Sequence, residues 1–258
     1  MSSAKTATAG RPAGWPSLAE IFFGRLANLW RKRRVERATP RRRPQFQSIE
    51  PRILLSADLV FNAVDNLAHD DYTLRLDAES GDLQLLDSTT VVASRPLAET
   101  TGVVINGEDG WNDSLKIDFS QGGFFSLDGG ITFNGGEDGF DALEVTGGTF
   151  TSVIHTVTDA GPGLSGTMVY EDGLNPALTI NYTGLEPVDM TGSTIADLVF
   201  NLPGTNDQAI LEDDGTPGNG ISQLRSQNAT PTFDTTTFTN PTGSLTVNMG
   251  GDNGTFTV

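Results

Sequence analysis

One short phrase returns six times between residues 59 and 248: a run of β-forming residues that ends in Asn and enters a turn. The copies are Leu59-Val-Phe-Asn62, Val103-Val-Ile-Asn106, Ile131-Thr-Phe-Asn134, Leu178-Thr-Ile-Asn181, Leu198-Val-Phe-Asn201 and Leu245-Thr-Val-Asn248. Asn suits the end of a strand because it tolerates the left-handed backbone region and its side chain bonds its own main chain. Successive Asn residues lie 44, 28, 47, 20 and 47 apart, as expected when some turns of a coil carry the phrase and others do not. Two longer alignments extend the pattern. Asn106-Gly-Glu-Asp-Gly-Trp111 parallels Asn134-Gly-Gly-Glu-Asp-Gly-Phe140, and Leu198-Val-Phe-Asn-Leu-Pro-Gly204 parallels Leu245-Thr-Val-Asn-Met-Gly-Gly251. A strand-turn-strand unit cannot bury its apolar face alone and must stack on the next. The spacing predicts an all-β body over residues 58–258, a right-handed parallel β-helix or solenoid. The alternative is an antiparallel β-sandwich, which also has short strands and a turn every ~8–12 residues. Matched intervals of 20–28 favour the solenoid.

Charge divides the chain. Residues 1–52 hold 12 of the 16 Lys and Arg and only three acids, for a net charge of +9, whereas the remainder carries −26. Two segments this different are expected to be separate units, a basic leader over 1–57 and an acidic body over 58–258. The body's acidity disfavours nucleic acid as a partner, because phosphate contacts need cations. There is no Cys, so disulfides contribute nothing to stability. No apolar run reaches the ~18–20 residues of a transmembrane helix.

In the leader, Ser17 and Glu20 have the spacing of a capping box ahead of Leu18, Ile21, Phe22, Leu26, Leu29 and Trp30, which share one side of a helix. Arg31-Lys-Arg-Arg34 and Arg41-Arg-Arg43 follow. Such a basic amphipathic segment suits transient contact with an anionic membrane surface; an Arg-rich tail with a marginal helix is the plainer reading. An ordinary secretory signal does not fit, since its charges precede its apolar core and here the long basic run follows it. The leader ends in Phe46-Gln-Ser-Ile-Glu-Pro-Arg-Ile-Leu-Leu-Ser-Ala-Asp58. Through Glu50, Pro51, Arg52, Leu54, Leu55, Ser56 and Ala57 this segment resembles the signature of the LEPR-XLL family, and it departs at Ile49, where that family usually has Leu. The resemblance implies the N-terminal part of a very large, repetitive, exported or surface bacterial protein, and it assigns no reaction. The strand Gly254-Thr-Phe-Thr-Val258 with no visible cap after it fits the same expectation of a longer chain.

Calcium is the one cofactor the residue types suggest. Gly135-Gly-Glu-Asp-Gly-Phe-Asp-Ala-Leu143 resembles the glycine-rich nonapeptide of RTX repeats with one residue inserted after the second glycine. Ca²⁺ takes about six to eight hard oxygens, so Glu137, Asp138 and Asp141 are the candidate metal ligands; the competing reading is that Gly and Asp simply form turns. An enzyme of the polysaccharide-lyase or hydrolase type needs a cation or two placed carboxylates. Beyond the leader the only cations are Arg75, Arg95, Lys116 and Arg225, none in a recognisable motif, and alternation along Ser114-Leu-Lys-Ile-Asp-Phe119 points Lys116 outward. His69 and His155 read as surface or satisfied core histidines, and Glu212-Asp-Asp-Gly215 as a solvated turn. No catalytic residue is assigned.

These features predict a non-enzymatic, adhesin-like structural protein, extracellular or on the cell surface, whose partner is a surface or carbohydrate ligand. The alternatives are a β-helix enzyme acting on polysaccharides and a calcium-stabilised binding module. A groove where a cation and carboxylates converge would favour the enzyme.

Overall fold

Strands form where inward Val, Ile, Leu and Phe alternate with Thr, Asn and Asp, the period-two pattern of a sheet with one buried face. The computed structural model describes residues 57–63, 69–158, 164–204, 206–251 and 253–258, all within one compact unit, Leu54–Val258. The leader helix and Glu50, Pro51, Arg52, Leu54, Leu55 and Ser56 lie outside the described residues; Ala57 opens the first strand. The described residues are all-β, and their one helical element is a single 3₁₀ turn at Leu97–Glu99.

Sixteen strands join in one mostly parallel sheet that is not closed into a barrel, a β-solenoid-like fold. Its first wall stacks β1 (Ala57–Asn62), β5 (Thr100–Asn106), β7 (Gly130–Asn134) and β10 (Leu178–Leu185) in parallel. The second stacks β2 (His69–Leu76), β6 (Asn112–Asp118), the first part of β8 (Ala142–Thr158), the first part of β11 (Val188–Asn201) and β14 (Thr236–Thr239), also in parallel. The later parts of β8 and β11 carry β15 (Ser244–Asn248) in a third wall.

Antiparallel pairing, the mark of the sandwich alternative, is confined to additions on these walls. β3 (Asp82–Asp87) and β4 (Thr90–Pro96) form a meander on the outer edge of β2. β9 (Leu164–Glu171) bridges β8 to β10. β13 (Ile221–Ser226) and β12 (Gln208–Asp213) extend from β14, and β16 (Thr255–Thr257) runs parallel to β12.

Among the described residues two strands turn the corner between walls without a break. β8 does so at Gly147-Gly148, where φ is +74° and +78°, a left-handed bend that glycine adopts without steric cost. β11 bends alongside, with a register shift between Gly192 and Thr194. Ser193 Oγ ties the corner by donating to the carbonyls of Val145 (3.2 Å) and Gly147 (2.9 Å).

The core is one continuous cluster of inward residues from all walls, among them Leu74, Ile105, Leu115, Ile131, Val145, Ile180, Leu198 and Phe238. After β6 the third wall has no strand, and aromatic rings fill the space. Phe119 packs against Phe124, Phe125 and Phe150, and Phe150 packs on Tyr170 at 4.9 Å.

The Asn phrase marks strand ends in this stack, with one displacement. Asn62, Asn106 and Asn134 are register partners, but the residue opposite Asn134 on β10 is Thr183, two past Asn181. The interval of 20 between Asn181 and Asn201 is therefore the step from the first wall to the third, not a full turn of the coil.

Candidate functional site: a column of carboxylates at the first corner

The turns from first to second wall stack on one another, and their acids are the fasteners. Residues 107–113 and 135–141 lie one above the other. Gly110 N–H donates to the Glu137 carbonyl (2.8 Å), Glu137 N–H to Asp109 Oδ1 (2.9 Å), and Phe140 N–H to Asn112 Oδ1 (2.9 Å). Asp113 N–H donates to Asp141 Oδ1 (2.8 Å), while Asp113 Oδ2 accepts from Glu108 N–H (2.8 Å). Backbone donors in a chain reversal have no ladder partner, and the short carboxylate side chains satisfy them.

The register extends this pair into a column. Asp113, Asp141, Glu186 and Asp234 each stand two residues before the matched positions Leu115, Leu143, Val188 and Thr236. Asp113 and Asp141 are each 1% exposed. Burial pushes the Asp141 carboxyl up to about 6, helped by the neighbouring charges of Asp113 and Glu186 and opposed by the Asp113 N–H. Burial, with the charge of Glu186, pushes Asp234 up to about 7. A neighbouring like charge disfavours the ionised form of a carboxylate held away from water.

The three expected calcium ligands do not converge. Glu137 and Asp138 sit on the exposed tip of their turn, Asp138 with φ of +60°, while Asp141 turns inward to the Asp113 N–H. Among the described residues no group of three or more His, Asp or Glu side chains is arranged to hold a metal ion. The inward column itself escapes sequence reading beyond Asp113 and Asp141: Glu186 and Asp234 follow no Asn-Gly phrase, and only the strand register aligns them.

The outer face of the second wall carries a groove of about 400 Å³ lined by Asp71, Thr73, Ser114, Lys116, Glu144 and Asp189 among others. Lys116 projects outward as alternation requires and pairs with Glu144 at 2.9 Å, with both side chains about two-fifths exposed. Ser114 Oγ donates to Asp71 Oδ1 (2.7 Å). Here a cation and carboxylates do meet on one solenoid face.

The remaining predicted sites resolve into structure. His155 is a core residue, its Nε2 2.7 Å from the Tyr182 hydroxyl oxygen, and burial drives its imidazolium form down to about 4. Glu212 lies on β12, bonded to the Arg225 guanidinium and to Gln223, which hold its carboxyl below the usual range. The solvated turn is confined to Asp214 and the residues after it. No protein-family model matches this chain, and no curated protein and no solved structure matches it either.

Proposed function

We propose that the chain is a non-enzymatic structural protein of the cell surface or exterior, with residues 1–57 acting as a sorting leader and the acidic β-solenoid-like body as an adhesin-like element. The observation that carries this reading is how the body spends its polar residues. Asn, Thr and Asp side chains fasten one coil to the next at the strand ends and turns. Asn106 Nδ2 donates to Asn62 Oδ1 (2.7 Å), Asn134 Nδ2 to Asn106 Oδ1 (2.5 Å), and Thr183 Oγ1 to Asn134 Oδ1 (3.0 Å). In the third wall Asn248 Nδ2 donates to Asn201 Oδ1 (2.7 Å), and Asn201 Nδ2 to Thr156 Oγ1 (3.0 Å). Such an arrangement suits a stalk. The LEPR-XLL-like residues Glu50 to Ala57 and the charge split support export.

Fusing residues 1–57 to a folded reporter tests the leader. The reporter is expected in the envelope or medium of a bacterial host, and changing Glu50, Pro51 and Arg52 to Ala is expected to return it to the cytoplasm. An intact reporter that stays cytoplasmic with the native leader overturns the proposal.

The groove around Lys116 favours a second reading, action on or binding of a polysaccharide. An acidic polysaccharide held by Lys116 would bind the native chain and not Lys116→Ala, and cleavage would release new reducing ends. A third, calcium-stabilised reading would rest on Glu137, Asp138 and Asp141.

A further inference from the structure

One pentapeptide occurs twice in the chain, as Asp58-Leu-Val-Phe-Asn62 and as Asp197-Leu-Val-Phe-Asn201. The second copy ends β11 and carries β15 on its edge, with Asp197 to Asn201 opposite Ser244 to Asn248, in parallel and in register. The match is made residue by residue. Ser244 Oγ donates to Asp197 Oδ1 (2.7 Å), Leu198 faces Leu245, Phe200 faces Val247, and Asn248 Nδ2 donates to Asn201 Oδ1 (2.7 Å).

The first copy is β1, which pairs with β5 through one edge. Among the described residues no strand pairs with its other edge, and β15 likewise has β11 alone. Both edges are half-built in the same way. Leu59 and Phe61 on β1, and Leu245 and Val247 on β15, are partly buried against the core and alternate with exposed neighbours. Val60 is 55% exposed. The amide ladder also has a direction. Asn62 accepts from Asn106 and so keeps its own N–H groups for a further acceptor, whereas Asn248 donates to Asn201 and so keeps its carbonyl for a further donor. The second wall is covered at both ends by antiparallel strands, β3 with β4 and β13 with β12. Among the described residues no antiparallel strand pairs with the free edge of β1 or β15, although β4 comes close to β1, and exposed parallel edges are templates for another strand.

We propose that copies of this chain associate head to tail, β1 of one copy adding in parallel and in register to the open edge of β15 of another. Asp58 then faces Ser244, Leu59 faces Leu245, Val60 faces Thr246, Phe61 faces Val247 and Asn62 faces Asn248. The strand that β15 gains has the same sequence as the one it already holds. The contact uses different surfaces on the two copies, so it is head-to-tail and adds copies in one direction, into a filament or, where the rotation between copies closes, a ring. The affinity comes from main-chain hydrogen bonds and apolar burial, as in other strand additions. Repulsion between bodies of net charge −26 opposes it, so added salt strengthens the association. This inference is independent of the export reading.

Because the chain has no Cys, single cysteines report the contact cleanly. Neighbouring strands lie about 4.8 Å apart, within the ~4.4–6.8 Å between Cα atoms that a disulfide spans. Full-length Val60→Cys and Thr246→Cys chains, both at outward exposed positions, are mixed and oxidised. The expected result is a disulfide-linked dimer from the mixture that neither variant forms alone, and a ladder of oligomers from the double variant. Sedimentation of the unmodified chain should show mass rising with concentration and with salt. A mixture that fails to cross-link although both thiols react with maleimide overturns the proposal. So does equal cross-linking by one variant alone, which would mean like edges pairing.

Discussion

Gly135 has no room for a β-carbon. A methyl group there would collide with the Gly184 carbonyl of the coil above and lie 2.6 Å from Asp141 Oδ2, and Gly107 is hemmed in likewise by the Gly135 carbonyl and Asp113 Oδ2. The glycines after Asn106 and Asn134 thus let Asp113 and Asp141 fold back beneath the next coil. Gly135→Ala is expected to cost about 1–3 kcal/mol, the range for overpacking against atoms that cannot yield. Gly251→Ala, where nothing lies within 4 Å, should be close to neutral; urea melts of the two variants make the comparison. The carboxylates set a pH dependence whose sign follows from proton binding. The fold raises Asp141 to about 6 and Asp234 to about 7 from 3.8, so it favours their protonated forms. Their contribution is fully present below about pH 4 and is lost as pH rises through 6 and 7. His155, lowered from 6.5 to about 4, works the other way, and its contribution is lost as pH falls through that interval. Denaturation from pH 4 to 8 should therefore show Asp234→Asn losing the decline toward pH 7. His155→Gln should lose the decline toward pH 4.

At the scale of strands, the side-chain ladder makes a graded prediction. Asn106 sits inside it with a bond on each side, whereas Asn248 at its end makes one. With each net hydrogen bond contributing about 0.5–1.5 kcal/mol, Asn106→Ala should destabilise about twice as much as Asn248→Ala in equilibrium unfolding. The strand-Asn phrase made these walls legible before any coordinates, because the same column must be filled at each level. The additions were not legible. β3 alternates through Leu83 and Leu85 as a wall strand does, and nothing in its residue pattern says that it folds back on β2. β9 also passes unmarked, although its Thr167 Oγ1 donates to Asn181 Oδ1 (3.0 Å) and so gives the displaced Asn a partner. Asp113 and Asp141 could be aligned through their flanking turns. Glu186 and Asp234 belong to the same column only through partners far away in sequence, and pairing of that kind leaves no local trace.

For the whole molecule, a body of net charge −26 gains stability from any cation that screens it. Asp141 is buried and already bonded to the Asp113 N–H, while Glu137 and Asp138 are in solvent. The expected outcome is that matched CaCl₂ and MgCl₂ raise the melting temperature equally, with Asp141→Asn leaving the two shifts equal. A calcium excess that Asp141→Asn removes would instead mark a specific site, since Mg²⁺ screens similarly but demands a tighter octahedral shell. The corner strands have a mechanical meaning as well. Tension between the two ends of the stack peels coils apart one ladder at a time, and each ladder resists according to its length. β8 and β11 are paired from Leu143 with Val188 to Thr156 with Asn201, across both walls, so their seam is the longest in the body. A pulling experiment should find it the last to tear, a clamp set in mid-chain with shorter seams on either side that yield first and absorb the load.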